Sequence, residues 1–360
     1  MHWLCRPVYS ALCVVGLMAT LTMTGCGQST PDGVPTEIGY MPILPDAQLF
    51  VGMEDGSLAD AGIAPKLLSF QNGPAMVQAL ASGQLDIAYF GIGPTMVARS
   101  KGADIQVVAA NIVEQISFVA MGDLAPYFAN GDPSTAFARF KADKGRPAKI
   151  STFPIGSVPQ TVLQYWLQNS LHNDGQDLQL IYQGASQVQQ SLLTGAVDGA
   201  AILEPVVSIA QKQRPEARVV ASGAQMFKNQ PGAVLAVRTA YIKAHPEIVE
   251  KLVAAHVKAT QALNNQTPAA VDAVAKYVGG GRVPRDVIAT AVAHSSGHFV
   301  ADPHRIIKAT QQMYDFQKRS GTLTADLDIP AMFEPSFYDQ LSAGAGQGRT
   351  PGLAAAQDAR

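Results

Sequence analysis

The stretch FQNGPAMVQALASGQLDIAYFGIGP, Phe70 to Pro94, decides the fold. Asn72 can cap a helix with its side chain, and Pro74 in the first turn loses nothing by lacking an N–H. Met76, Val77 and Leu80 fall on one face of that helix, and Ser82-Gly83 ends it where glycine can turn left-handed. An almost unbroken apolar run over 85–90 follows, the pattern of a strand covered on both faces. Gly91, Gly93 and Pro94 then open another helix. Two helix N-termini beside one strand end would offer amides and positive dipole ends to a small anion at the carboxyl edge of a parallel sheet.

The unit recurs 112 positions later. SLLTGAVDGA over 191–200 aligns with ALASGQLDIA over 79–88, so Leu192, Thr194, Gly195, Val197, Asp198 and Ala200 match Leu80, Ser82, Gly83, Leu85, Asp86 and Ala88. Two such units in one chain predict an α/β protein of two similar lobes, with a ligand cleft between them. At 360 residues the chain is long enough for both. Only 15% of residues are charged and the formal net charge is −2, which gives no footprint for nucleic acid and no disordered composition.

The N-terminus reads as an address. Arg6 precedes a mostly apolar run over 9–23 that is too short to span a bilayer as a helix, and Met23-Thr24-Gly25-Cys26 closes it. This resembles a lipoprotein signal over 1–25, with Cys26 as the lipidated first residue of the mature chain and 26–35 as a Pro- and Gly-containing tether. Cys5, Cys13 and Cys26 are the only cysteines, so cleavage leaves no thiol for a disulfide, a metal or catalysis.

Taken in order, the pattern predicts a first lobe over 36–122, a second over 123–227, a return to the first over 228–341, and a flexible tail over 342–360. Tyr40 ends the first strand. Gln115 precedes the apolar run 116–121, and the crossing to the second lobe is placed in 122–145, around Pro126, Gly131 and Pro133. Gly156-Ser157 start a helix with Val162, Leu163, Trp166 and Leu167 on one face, and their amides and hydroxyl would suit an oxyanion. Glu204 stands at a strand end, where it would meet a ligand amine or lock the lobes by pairing with a donor. From Pro246 on the chain is helical, in four pieces each opened near a proline, which are expected to pack on the first lobe.

Signatures of catalysis are missing. There is no Walker loop, GxSxG or HExxH, and Gly279-Gly280-Gly281-Arg282 lacks the Lys and Ser/Thr of a phosphate loop. His294, His298 and His304 are close in sequence, but Gly297 interrupts their helix and they read as solvated. Neither an enzyme, nor a cofactor, nor a metal is expected.

The order of Tyr40, Asn72-Gly73-Pro74, LxSGxLD, Gly93-Pro94, Gly156-Ser157, LxTGxVD and Glu204-Pro205 resembles the periplasmic solute-binding proteins of ABC transporters for nitrate, taurine and aliphatic sulfonates. That resemblance implies a two-lobed type II binding-protein fold with a hinge, working as a monomer in the periplasm or at the cell surface. It would hand a small anionic solute to permease and ATPase subunits. It also implies that Tyr40, Asn72, Gly73, Gly93, Gln115, Gly156 and Ser157 hold the solute, with Glu204 alongside. The chain has Asn72 where the family often has Ser, and Leu203 where it often has an aromatic residue. A sulfonate is the first choice of solute; a thiamine-precursor pyrimidine, or a sensory role beside a membrane receptor, are the alternatives. Gly156→Pro, by deleting an amide, is expected to weaken binding strongly.

Overall fold

The computed structural model describes residues 33–347, and side chains to 343. The leader, Cys26, most of the tether and the end of the tail lie outside the described residues. Among the described residues there are ten strands, in chain order β1 (Val34–Tyr40), β2 (Ile63–Ser69), β3 (Ile87–Gly91), β4 (Ile105–Ala110), β5 (Ser117–Ala120), β6 (Ala148–Thr152), β7 (Leu178–Tyr182), β8 (Gly199–Ile202), β9 (Arg218–Ala221) and β10 (Ala233–Arg238). They form two sheets, β2-β1-β3-β10-β4 and β7-β6-β8-β5-β9. In each sheet the three strands nearest one edge run parallel and a strand from the other crossing lies antiparallel beside the third. The two lobes therefore share one topology.

The repeated sequence unit occupies the same place in both. Helices Gly73–Ala81 and Ala185–Thr194 feed the central strands β3 and β8. Both turns contain a left-handed glycine, Gly83 at φ 75° and Gly195 at φ 71°. The two matched aspartates also do the same work. Asp86 accepts the Glu37 N–H at 3.1 Å and pairs with Arg238; Asp198 accepts the Lys149 N–H at 2.8 Å and is held by both terminal nitrogens of Arg146, at 2.6 and 2.9 Å. Each carboxylate ties the start of the central strand to the parallel strand beside it, β1 or β6, where a buried charge requires several partners.

The crossings are shorter than the sequence suggested. β5 pairs with β8 and β9, so the chain enters the second lobe before Ser117, and 117–122 belong to the second lobe rather than to the first. The expected boundary at 122 followed the break in hydrophobic pattern, which marks the end of a strand and not the end of a lobe. The chain returns between β9 and β10. The two crossings run side by side: Glu114 N–H donates to the Gln230 carbonyl at 2.9 Å, and Ile116 N–H to the buried Gln230 side chain at 3.1 Å. Two further boundaries move. Val34 and Pro35 belong to β1 rather than to the tether, because they pair with Ile63 and Ala64. At the other end helix Ser336–Gln347 continues past 341 into the stretch assigned to the tail.

Of the four carboxyl-terminal helices, three pack on the outer face of the first sheet as expected. Pro246–Asn264, Pro268–Tyr277 and Arg285–Ser295 bury Leu252, Val274 and Ile288 there beside Phe50 and Leu235. The fourth, His304–Arg319, lies between the lobes. Its Gln317 amide donates to Thr161 at 2.8 Å, and Phe316 meets Tyr165 edge-on at 5.4 Å, both on helix Val158–Asn169 of the second lobe. An apolar cluster consequently runs from the inner face of the first sheet through the second lobe without a break.

In Asp198, burial alone would raise the pKa, but the Arg146 and Lys149 contacts hold it below the ordinary carboxylate value. A carboxylate with a lowered folded pKa adds stability above its unfolded value, near 4, and loses it as pH falls through the folded value. Arg146→Met is therefore expected to destabilise the protein by about 1–3 kcal/mol at neutral pH, with the difference from wild type shrinking below about pH 4. Urea unfolding across that range checks both, and a pH-independent difference would remove the charge from the explanation.

Candidate functional site

Helix starts bring the two lobes together. Asn72 Oδ1 accepts the Ala75 N–H at 3.0 Å and so caps helix Gly73–Ala81 as expected. Gly73 packs on Pro94, which a Cβ at Gly73 would approach to 2.4 Å. Gly93, in helix Ile92–Ser100, faces the second lobe so closely that a Cβ there would lie 2.6 Å from the Gly156 carbonyl oxygen. Asn72, Gly73, Gly93, Gly156 and Ser157 thus form one contiguous contact rather than scattered loops.

Most of that contact is a packing surface. Gly73, Gly93, Gly156 and Ser157 are buried. Gly156 N–H donates to Gln160 Oε1 at 2.9 Å, Ser157 N–H to the Pro154 carbonyl at 3.0 Å, and Ser157 Oγ accepts the Gln160 N–H at 3.4 Å. The Gly156 and Ser157 amides expected to receive an oxyanion are already satisfied inside their own turn, whereas the Ser157 hydroxyl only accepts there and donates to none of the described residues. Loss of a ligand contact is therefore no longer the expected effect of Gly156→Pro.

The larger cavity lies one strand away and has a volume of about 560 Å3. The first lobe contributes Tyr40 at the end of β1, Ser69-Phe70-Gln71 after β2, and Tyr277 to Pro284 between two helices. The second lobe contributes Ala185, Ser186 and Gln189 from the start of helix Ala185–Thr194, and Pro205 to Gln213 around helix Val206–Gln213. Across it Ser186 Oγ donates to Gln71 Oε1 at 3.3 Å. The ten-residue helix starting at Ala185 aims its positive end at this space. The sequence held a signal for it: the 112-residue offset that aligns the repeats carries Asn72 onto Gly184, and Gly156 has no part in that alignment.

Aromatic residues fix one wall. Tyr277 stacks on Phe50 at 5.0 Å and donates to Glu54 Oε1 at 2.6 Å; Tyr40 meets Phe50 edge-on at 5.7 Å. Burial, then the Glu54 hydrogen bond and charge, push the Tyr277 hydroxyl up to about 12, so it stays neutral and offers the cavity an apolar face.

Gln115 and Glu204 line a second cavity, of about 300 Å3, beside the hinge. Glu204 takes the locking role of the two that its position allowed. Its carboxylate accepts from Ser208 N–H at 3.0 Å, from Ser208 Oγ at 2.9 Å and from His294 Nδ1 at 3.0 Å, and His294 belongs to the first lobe. Lys212 and Asp286 form another pair across the same gap. His304 pairs with Asp339, and among the described residues no cluster of three metal-ligating side chains occurs.

Two sheets of one topology, a paired crossing and a cavity walled by both halves define the two-lobed type II periplasmic-binding-protein fold. The chain belongs to the NMT1-like family, whose pattern residues 29–279 match. In sequence it is similar to a Bacillus subtilis (strain 168) protein named for aliphatic sulfonate binding, 23% identical over 335 residues, 90% of this chain and 94% of that one. In fold it is similar to the alkanesulfonate-binding protein SsuA of Xanthomonas axonopodis pv. citri bound to MOPS, with TM-score 0.68 and 19% identity over 84% of this chain and 99% of the other. It is also similar to the periplasmic nitrate-binding protein NrtA of Synechocystis PCC 6803, with TM-score 0.72 and 15% identity over 89% and 92% of the two chains. Each of these three is named as a binding protein.

Gly93→Ala tests the contact between the lobes. The added methyl, with backbone on the far side, is expected to cost about 1–3 kcal/mol and to lower the melting temperature. It should also enlarge the radius of gyration in X-ray scattering. A variant indistinguishable from wild type in both would show that the lobes do not meet there.

Proposed function

We propose that this protein is the solute-capturing component of an ABC importer for an organic anion, a sulfonate before nitrate. The observation that carries this reading is the 560 Å3 cavity shared by the lobes, larger than an inorganic anion fills and lined by both apolar and hydrogen-bonding groups. Ile43, Phe70, Val206 and Val283 would receive a carbon chain, while Ser69, Gln71, Ser186 and Gln189 would receive its polar head. Tyr40 remains in this set; Asn72, Gly73, Gly93, Gly156 and Ser157 act by holding the lobes in register. Gln115 and Glu204 stand beside the hinge. The solute favours the closed state because it touches both lobes, and only that difference in contact shifts the population.

The anchor belongs to the same reading. The Met23-Thr24-Gly25-Cys26 sequence would place a lipid on Cys26 and hold the protein by the permease, and no helix among the described residues is long and apolar enough to cross a membrane. Cys26→Ser is expected to move the protein from the membrane fraction to the soluble fraction.

A thermal-shift screen followed by calorimetry tests the solute. Alkanesulfonates of increasing length are expected to bind with Kd of roughly micromolar or tighter, and nitrate and bicarbonate weakly. Equal or tighter binding of nitrate, or binding confined to uncharged pyrimidines, would overturn the sulfonate assignment.

A further inference from the structure

The triple-glycine run that lacks a phosphate-loop signature has a definite place in the fold. Gly279, Gly280 and Gly281 stand at φ 61°, 67° and 70°, three successive left-handed residues between helices Pro268–Tyr277 and Arg285–Ser295. Two of them also lack space for a side chain: a Cβ at Gly279 would lie 2.5 Å from Val283 Cγ2, and one at Gly281 would lie 2.8 Å from the Lys276 carbonyl oxygen. Gly279 N–H is fastened to the Pro42 carbonyl at 3.1 Å, so the run begins at the rim of the cavity. Joining two helices does not require three left-handed residues, each of which only glycine adopts without strain. What the run achieves is to carry Arg282 back over the cavity, which Gly279, Gly280 and Arg282 all line.

Two cationic side chains line that cavity. Lys212 is paired with Asp286. Arg282 has no carboxylate partner among the described residues. An unpaired guanidinium on an arm at the mouth of a pocket whose other cation, Lys212, is compensated by Asp286 is suited to planar, two-point pairing with an oxyanion.

We propose that Arg282 is the residue that selects the charge of the solute, folding over the cavity to pair with a sulfonate or carboxylate whose apolar body lies against Phe70, Ile43 and Val206. This rests on the reading of the cavity as the solute site and adds the group that discriminates an organic anion from a neutral molecule of the same shape. The arm begins at Gly279, where the family match ends, so Arg282 lies beyond the part of the chain that the family pattern describes.

Calorimetry with 1-hexanesulfonate and its neutral analogue hexyl methyl sulfone tests the proposal on wild type, Arg282→Gln and Arg282→Lys. Arg282 is exposed, so the variants are expected to fold as wild type does. Arg282→Gln should weaken hexanesulfonate by about 10- to 100-fold and leave the sulfone unchanged, Arg282→Lys should recover part of the loss, and the salt dependence of sulfonate binding should flatten in Arg282→Gln. Equal sulfonate affinity in wild type and Arg282→Gln, or equal loss for both ligands, overturns the role of Arg282 and leaves the cavity assignment standing. Failure of wild type to bind hexanesulfonate overturns both.

Discussion

The arrangement depends on a contact between two pieces of backbone. Gly93 and Gly156 stand so close that neither a methyl group nor a water molecule fits between them at the first residue's Cα. Because interiors are packed near the density of organic crystals, such an approach fixes spacing in a way that side chains alone do not. Everything on the cavity side inherits that spacing: the Ser186 to Gln71 hydrogen bond, the Glu204 to His294 pair and the Lys212 to Asp286 pair all span a gap whose width is set at the glycines.

Polar groups in this region serve registration before recognition. Glu204 offers its carboxylate to three donors, two on Ser208 of the helix that follows it and one across the gap. Gln160 closes the turn at Gly156, and Gln230 closes the turn between the crossings. Satisfying buried donors internally is the general rule, and it explains why a helix start that looks open in sequence is closed in three dimensions. The helix start at Ala185, shorter on signal because Gly184 has no capping side chain, is the one that faces the larger cavity.

Fold was more legible than site, for a physical reason. Strand and helix identity follow from apolar periodicity, and the repeated LxSGxLD and LxTGxVD units carry their own confirmation, since Asp86 and Asp198 bind equivalent partners in the two lobes. Lobe membership was less legible. β5 looks like a continuation of the first lobe because hydrophobic pattern reports burial and not which sheet does the burying; only pairing with β8 and β9 decides it. Cavity walls were least legible. Gln71 adjoins the Asn72 that drew attention, and Arg282 stood in a motif dismissed for the wrong chemistry, yet neither contact is encoded by local spacing. Both depend on how 3.6-residue and 2-residue repeats are folded against one another over distances of more than a hundred residues.

Helix His304–Arg319 belongs to the first lobe by chain order but holds Gln317 and Phe316 against the second. It packs as well on helix Ile92–Ser100 of the first lobe, so it is wedged against both halves at once. Any swing of the halves about the two crossings would therefore have to strip this helix from one of its neighbours, with the Gln317 to Thr161 hydrogen bond and the Phe316 to Tyr165 ring contact among those at stake.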